Sequence, residues 1–202
     1  MKKTTLFIIS VLMSAFVAIS ASAQNYTKDQ MKQAKKEAKA LEKQGWKVNP
    51  GSLSLYEQRL ATDVIQKELD DKGMPKWVVG SGTSTGKVYN SARMQSSAVA
   101  KTDIAGKIEE EVAGLTETKL ANDEISRESI SAALTASKSR FLQKIGRVRT
   151  LMECYREKPD GSVEVQVTIA YPINDAHQKL KEAISESAES SMSKRLDEIL
   201  GW

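Results

Sequence analysis

The stretch VVGSGTSTGKVYNSAR, residues 78–93, combines residue types that could bind a phosphate. A phosphate-binding loop has the pattern G-x-x-x-x-G-K-[ST], in which backbone N–H groups surround the phosphates and the last hydroxyl binds the metal ion. Here five residues separate Gly80 from Gly86, and Val88 follows Lys87. Both departures remove part of the mechanism. We therefore predict a strand-to-helix connection and no nucleotide site.

The same stretch brings together Ser84, Lys87 and Tyr89, which are side chains of a different chemistry. A serine can act as a nucleophile when a lysine close to it accepts its proton. An uncharacterised hydrolase or transferase with a site near Gly80–Tyr89 therefore stays open as an alternative function. Nothing in the sequence requires this activity.

The other reactive side chains form no catalytic pattern. His177 is the single histidine, which argues against metal sites built on paired histidines, and we expect it to be solvated or to cap a helix. Cys154 shares a predicted strand face with Met152, which indicates a buried, unreactive thiol, although Arg156 lies on the same face. We predict no catalytic, cofactor-binding or metal-ligating residue and a protein that is not an enzyme.

The first 23 residues have the pattern of a secretory signal peptide. Lys2 and Lys3 precede an apolar run over residues 6–19, and Ala-Ser-Ala ends at residue 23. Gln24 follows, where a lipoprotein would need cysteine, so we predict no lipid anchor. No second long apolar run follows, and we predict no transmembrane segment in the mature chain. The protein should be periplasmic or associated with the outer membrane of a Gram-negative bacterium, or secreted.

The charge of the mature chain is small but unevenly placed. Removal of residues 1–23 takes two lysines from a formal net charge of +4 and leaves +2, which argues against a nucleic-acid partner. A basic arm nevertheless follows the leader, with only three acids for seven lysines: Lys28, Lys32, Lys35, Lys36, Lys39, Lys43 and Lys47 against Asp29, Glu37 and Glu42. This first helix could contact an anionic surface or an acidic partner, or be a solvated helix.

Periodicity predicts two helices ahead of the Gly-rich stretch. The first covers residues 26–44, and the second begins at a capping box formed by Ser54 and Glu57. We expect the second helix to reach about Asp71 and to bury four residues: Leu60, Val64, Ile65 and Leu69.

The middle of the chain changes from helical to strand periodicity. A short strand starts at Trp77 and should fray at Gly80 and Gly82. A long Ala-rich helix follows over residues 88–112, with its apolar side formed by Met94, Ala98, Ile104, Ala105, Ile108 and Val112. Another helix, capped by Asn122 or Asp123, should bury Ile125, Ile130, Ala133 and Leu134.

Strict alternation then predicts an antiparallel hairpin with one buried face. Val148, Thr150, Met152 and Cys154 form the buried face of its first strand, and Val163, Val165, Val167 and Ile169 that of its second. The turn formers Pro159, Asp160 and Gly161 lie between them.

A last helix should run from about Asn174 to Leu200, with Leu180, Ile184, Ala188, Met192, Leu196 and Ile199 on one side. The whole pattern predicts an α+β fold, in which a small antiparallel sheet of about three strands packs against an Ala-rich helix. The predicted division is a signal peptide (1–23), an N-terminal helical extension (24–75), an α+β envelope domain (76–172) and a C-terminal helix (173–202).

The order GSGTSTG, then ARMQSSAVAKTDIAGKIEEEVAG, then RVRTLMECYREKPDGSVEVQVTI resembles the small bacterial envelope lipoprotein family of the LPP-twenty type. The pattern is also similar to the N-terminal domain of a flagellar assembly protein. The resemblance covers residues 77–171 and implies a curved antiparallel sheet around a helix, a place in the cell envelope and no known catalysis. The chain departs from the family in lacking the lipobox cysteine.

Together these patterns predict an exported, non-enzymatic cell-envelope protein that acts as a structural or partner-binding module. Partner binding should use the edge of the small sheet, because the strand over residues 78–85 leaves backbone groups available. Self-association into a homo-oligomeric envelope scaffold, through the last helix, is the other alternative.

Overall fold

The computed structural model describes residues 26–119, 127–187, 194, 197 and 198. Within them lie five helices and one three-stranded sheet, so the predicted α+β class is confirmed. The elements in chain order are α1 (Lys28–Lys43), α2 (Leu55–Lys67), β1 (Trp77–Gly86), α3 (Tyr89–Lys119), α4 (Arg127–Lys144), β2 (Arg149–Glu157), β3 (Val163–Pro172) and α5 (Ile173–Ser185).

The sheet is antiparallel with the strand order β1-β3-β2. All of β1 pairs with β3, from Trp77 opposite Pro172 to Gly86 opposite Val163. The prediction that this strand frays at Gly80 was wrong. The glycines of β1 allow close packing, since α3 lies directly against them.

The predicted hairpin is present, but its first strand contains a bulge. Thr150 pairs with Ile169 whereas Met152 pairs with Thr168, so Leu151 is an extra residue in β2. A bulge places two residues opposite one and reverses the alternation beyond it. Strict alternation had predicted that Thr150 and Met152 share a face, and this prediction was wrong. The extra residue, Leu151, is buried as well.

Helices cover both faces of the sheet. The main core lies between one face and the helices α3, α4 and α5. Its large members are Val78, Ile104, Ile108, Val112, Ile130, Leu134, Phe141, Ile145, Val165, Val167, Ile169, Tyr171, Leu180 and Ile184. On this side Ala92 and Ala100 are buried, whereas Met94, expected in the core, is 72% exposed. Met94 lies more than half a turn from Ala92 around α3, which directs it to solvent.

The helices α1 and α2 cover part of the opposite face. Two smaller apolar clusters form there, one around Trp46, Leu55, Met152 and Cys154 and one around Ile65, Leu151 and Ala170. The segment after α1 also extends the sheet beyond β2. The Lys47 N–H donates to the Tyr155 carbonyl at 2.7 Å, and the Tyr155 N–H donates back at 2.8 Å.

The capping box of Ser54 and Glu57 forms as predicted. The end of α2 was predicted wrongly, because the helix stops at Lys67 and Leu69 is 57% exposed. The Asp70 carboxylate accepts from the N–H groups of Lys72 and Met74, both at 2.9 Å. Such a side-chain turn competes with helical hydrogen bonds.

Some predicted features lie outside the described residues. These are the leader, the cap at Asn122 or Asp123 with Ile125, and the helical positions Ala188, Met192, Leu196 and Ile199.

Candidate functional site

The structure does not bring Ser84, Lys87 and Tyr89 into hydrogen-bonded contact. The Ser84 hydroxyl donates to Gln95 Oε1 at 2.8 Å, and no described hydrogen bond or ion pair includes Lys87. Tyr89 donates to the Glu153 carboxylate. Burial and that carboxylate raise the pKa of Tyr89, so the phenol keeps its proton and is a poor base. This arrangement provides no activated nucleophile.

Tyr89 belongs instead to a network that the sequence did not reveal. Its hydroxyl accepts from Asn49 Nδ2 at 2.5 Å, and Glu153 also accepts from Arg93 Nε at 2.7 Å. The Tyr155 ring meets the Tyr89 ring edge-on, with centroids 5.5 Å apart. The network joins the segment after α1, the start of α3 and β2. Its hydrogen-bonded pairs are separated by 40–64 residues in the sequence, so no local motif signals it.

The remaining reactive side chains are enclosed. Cys154 is 1% exposed, as predicted, and burial raises the pKa of its thiol to about 12. The Arg156 guanidinium has other partners than this thiol. It lies over the Trp46 ring and donates to Glu164 at 2.5 Å. His177 is largely buried rather than solvated, with Nε2 3.4 Å from Glu111 Oε1. The described residues hold no group of three or more metal-ligating side chains.

Two surfaces are candidates for contact with a partner, and the first is the outer edge of β1. Val79 and Ser81 direct their main-chain groups away from β3, where the side chains of α3 meet them. The Val79 carbonyl accepts from Lys107 Nζ at 2.7 Å, and the Ser81 N–H donates to Asp103 Oδ2 at 2.9 Å. In this half of the proposed edge, side chains of α3 therefore already occupy the Val79 carbonyl and the Ser81 N–H.

The other half of that edge is open. Groups alternate along an antiparallel strand, so the N–H and C=O of Thr83 and Thr85 point the same way as those of Ser81. Among the residues that the structure describes, nothing hydrogen-bonds to these groups. Val99 of α3 lies beside Gly82 and is 46% exposed. We call Thr83–Thr85 and the neighbouring Val99 the open edge.

The second surface is on α1. At about 100° per residue, six lysines fall within an arc of roughly 100° and span roughly 22 Å of the helix. They are Lys28, Lys32, Lys35, Lys36, Lys39 and Lys43, and each is exposed. Ala34 and Ala38 on the other side are buried. We call these six residues the lysine face.

The charges of the lysine face are not neutralised by acids of the described chain. None of its six side chains takes part in an ion pair or side-chain hydrogen bond within the described part of the chain. Glu37 is directed to the opposite side of α1, where it pairs with Arg59 of α2. The helical spacing of the lysines could be read from the sequence. Only the structure shows that no acid of the described chain forms an ion pair with them.

No helix in the described ranges is both long and apolar enough to cross a bilayer. Comparison of the chain with family models, curated proteins and solved structures gives no match. The resemblance to the envelope lipoprotein family therefore stays a prediction.

Proposed function

We propose that this protein is an exported, non-enzymatic cell-envelope protein that binds an extended segment of another polypeptide at the open edge. Export is supported by the leader pattern of residues 1–23. Binding is supported by one observation: the N–H and C=O groups of Thr83 and Thr85 face outward without a partner in the described residues, on a strand whose other edge pairs with β3 along its whole length. An added strand supplies the complementary N–H and C=O groups.

The close packing of α3 on β1 restricts what can occupy the open edge. Antiparallel pairing of β1 with β1 of a second copy would place both copies of α3 above the same face, over strands about 4.8 Å apart. Packed helices need about 8–10 Å between their axes. This crowding favours, as the occupant, a strand that carries no helix on that face over a second copy of this domain.

The test uses prolines at two neighbouring positions whose lost N–H groups point in opposite directions. The Thr83 N–H faces the open edge, so Thr83→Pro should remove a binding group with little loss of stability. The Ser84 N–H faces β3, so Ser84→Pro should weaken the sheet itself. A photo-cross-linking residue at Val99 should give a discrete adduct in cells, and Thr83→Pro should abolish it while thermal unfolding changes little.

An adduct that persists in Thr83→Pro would refute strand addition at this edge. Amide hydrogen exchange gives an independent check without a partner. The amides of Thr83 and Thr85 should exchange fast, while that of Ser84 should be protected.

The hydrolase or transferase alternative near Gly80–Tyr89 is less well supported, because Ser84 bonds Gln95 and not Lys87. A broad activity screen should show no turnover that Ser84→Ala removes. An activity lost in that variant would restore the enzyme hypothesis.

The scaffold alternative is weakened at the last helix, since Leu180 and Ile184 of its apolar side are buried in the chain's own core. Light scattering on residues 24–202 should give a monomer. A discrete oligomer would favour the scaffold.

A further surface, the lysine face, supports contact with an anionic partner. The observation that favours it is the alignment of six exposed, unpaired lysines on one side of α1. This contact is separate from the open edge.

A further inference from the structure

We propose that the lysine face docks the protein flat on a bilayer surface that contains anionic phospholipids. A row of ammonium groups attracts anionic headgroups, and each lysine near the surface adds to the binding. The lysine face offers six such groups, all exposed and none neutralised by an acid of the described chain. Charge complementarity therefore identifies the partner as anionic.

The positions of the nearest acids favour a flat surface over a grooved one. Asp29 and Glu42 are both exposed. At about 100° per residue they fall just outside the lysine arc, one on each side. A groove of a nucleic acid would bring phosphates around both flanks and against these carboxylates. A planar surface meets only the arc between them, where every charged residue is a lysine.

The apolar residues of α1 indicate that docking does not involve insertion. Met31, next to the arc, is 37% exposed, whereas Ala34 and Ala38 are buried against the body of the protein. A helix that inserts needs Trp, Phe or Leu along its exposed side. The lysine face has none, so binding should be reversible and should fall steeply as salt screens the charges.

The fold places this surface away from the open edge. The segment after α1 is bonded to β2, and α2 also packs near Trp77 and Val79 at the start of β1. The open edge lies at the other end of β1, and β3 separates β1 from β2. A protein docked through α1 therefore leaves the open edge accessible. The two contacts are independent, so either proposal can fail without the other.

The experiment measures co-sedimentation of residues 24–202, which include every described residue, with vesicles. One set contains phosphatidylcholine alone, and the other contains equal parts of phosphatidylcholine and phosphatidylglycerol. Binding should occur only to the second set and should be lost at about 0.5 M salt. The variant Lys35→Gln/Lys39→Gln should bind roughly twentyfold more weakly, while glutamine keeps the helix intact.

A matched control makes the same charge change elsewhere. Lys72 and Lys87 are exposed and belong to no described ion pair. Lys72→Gln/Lys87→Gln should bind within about twofold of the unmodified chain. Equal losses in the two double variants would show an effect of net charge alone and would overturn the proposal. Equal binding to both vesicle sets would also overturn it.

A competition arm separates the bilayer from a linear polyanion. Inorganic polyphosphate at the same charge concentration should displace the protein from phosphatidylglycerol vesicles only partly. Tighter binding to polyphosphate than to vesicles, lost in Lys35→Gln/Lys39→Gln, would assign the lysine face to a linear polyanion and refute the membrane. Thr83→Pro should bind vesicles as the unmodified chain does, which distinguishes this proposal from strand addition.

Discussion

Gly80 and Gly82 determine how closely α3 can lie on β1. A Cβ atom on Gly80 would be 2.4 Å from the Ala100 carbonyl oxygen, and one on Gly82 would be 2.2 Å from the Ser96 carbonyl oxygen. Both contacts are with backbone, which cannot rotate away. The glycines of the apparent phosphate-binding loop therefore serve packing between a helix and a strand.

Gly82→Ala should lower the free energy of unfolding by about 3 kcal/mol, because α3 must move off the sheet. Gly106→Ala is the matched control, since nothing lies within 4 Å of the added atom and the residue is inside a helix. It should raise the free energy of unfolding by about 0.5–1 kcal/mol. Urea unfolding of both variants measures the opposite signs, and a shared sign would contradict the packing role.

Cys154 should make stability depend on pH in the alkaline range. Burial, with a smaller effect of the Glu153 carboxylate, raises the pKa of the thiol from 9.0 to about 12. The unfolded chain loses this proton first, so the free energy of unfolding falls as pH rises from about 9 to about 12 and is unaffected below that range. Urea unfolding should show the advantage of the unmodified chain over Cys154→Ala shrinking from about pH 8 to about pH 10. A constant difference would contradict the shift.

At the scale of elements, the Gln58 side chain hydrogen-bonds α2 to β2, beside the apolar contacts of Leu55 and Ile65. Gln58 is 6% exposed, its Oε1 accepts from the Glu153 N–H at 2.8 Å, and its Nε2 donates to the Leu53 carbonyl at 2.7 Å. Gln58→Met keeps the volume and removes both hydrogen bonds. It should cost about 2 kcal/mol, since two polar groups lose their partner.

Chemical denaturation gives the loss of stability in Gln58→Met, and hydrogen exchange locates it. The Glu153 amide should lose protection while amides of β3 change little. Uniform loss across the sheet would contradict a local attachment.

The helices and strands also show which structural features can be predicted from the sequence. The alternation of β3 and the Ser54–Glu57 capping box were predicted correctly, because each depends on residues close together in the chain. The end of α2 and the bulge at Leu151 were not, since local side-chain turns and tertiary packing decide them.

Of the two candidate surfaces, one was predicted from the sequence and the other only in part. The lysine face follows from helical spacing and was predicted as a basic helix. The open edge was predicted too broadly, because the occupation of Val79 and Ser81 depends on Lys107 and Asp103 of α3.

For the whole molecule, the N-terminal helices act as a cover for the sheet. Met152 and Cys154 are each 1% exposed beneath residues that include Trp46 and Leu55. Deleting residues 1–75 should therefore expose an apolar surface on the second face of the sheet.

The truncated protein should bind a hydrophobic dye, and its Cys154 should react with an aqueous thiol reagent at neutral pH. The thiol of residues 24–202 should react only after unfolding. A truncated chain with an unreactive thiol would show that the sheet and α3–α5 protect Cys154 without the N-terminal helices.

The strand order has a consequence for when the chain can fold. The hairpin of β2 and β3 closes locally. Among the strands of the described ranges, β1 pairs with β3 alone, and Ser81 meets Thr168 across 87 residues. A nascent chain that has emerged only as far as α4 therefore holds β1 without a partner. Pairings so distant in sequence form late and slowly. The sheet of the described residues therefore cannot close until β3 has been synthesised, and this delay fits the proposed export, because a narrow secretion channel requires an extensible chain.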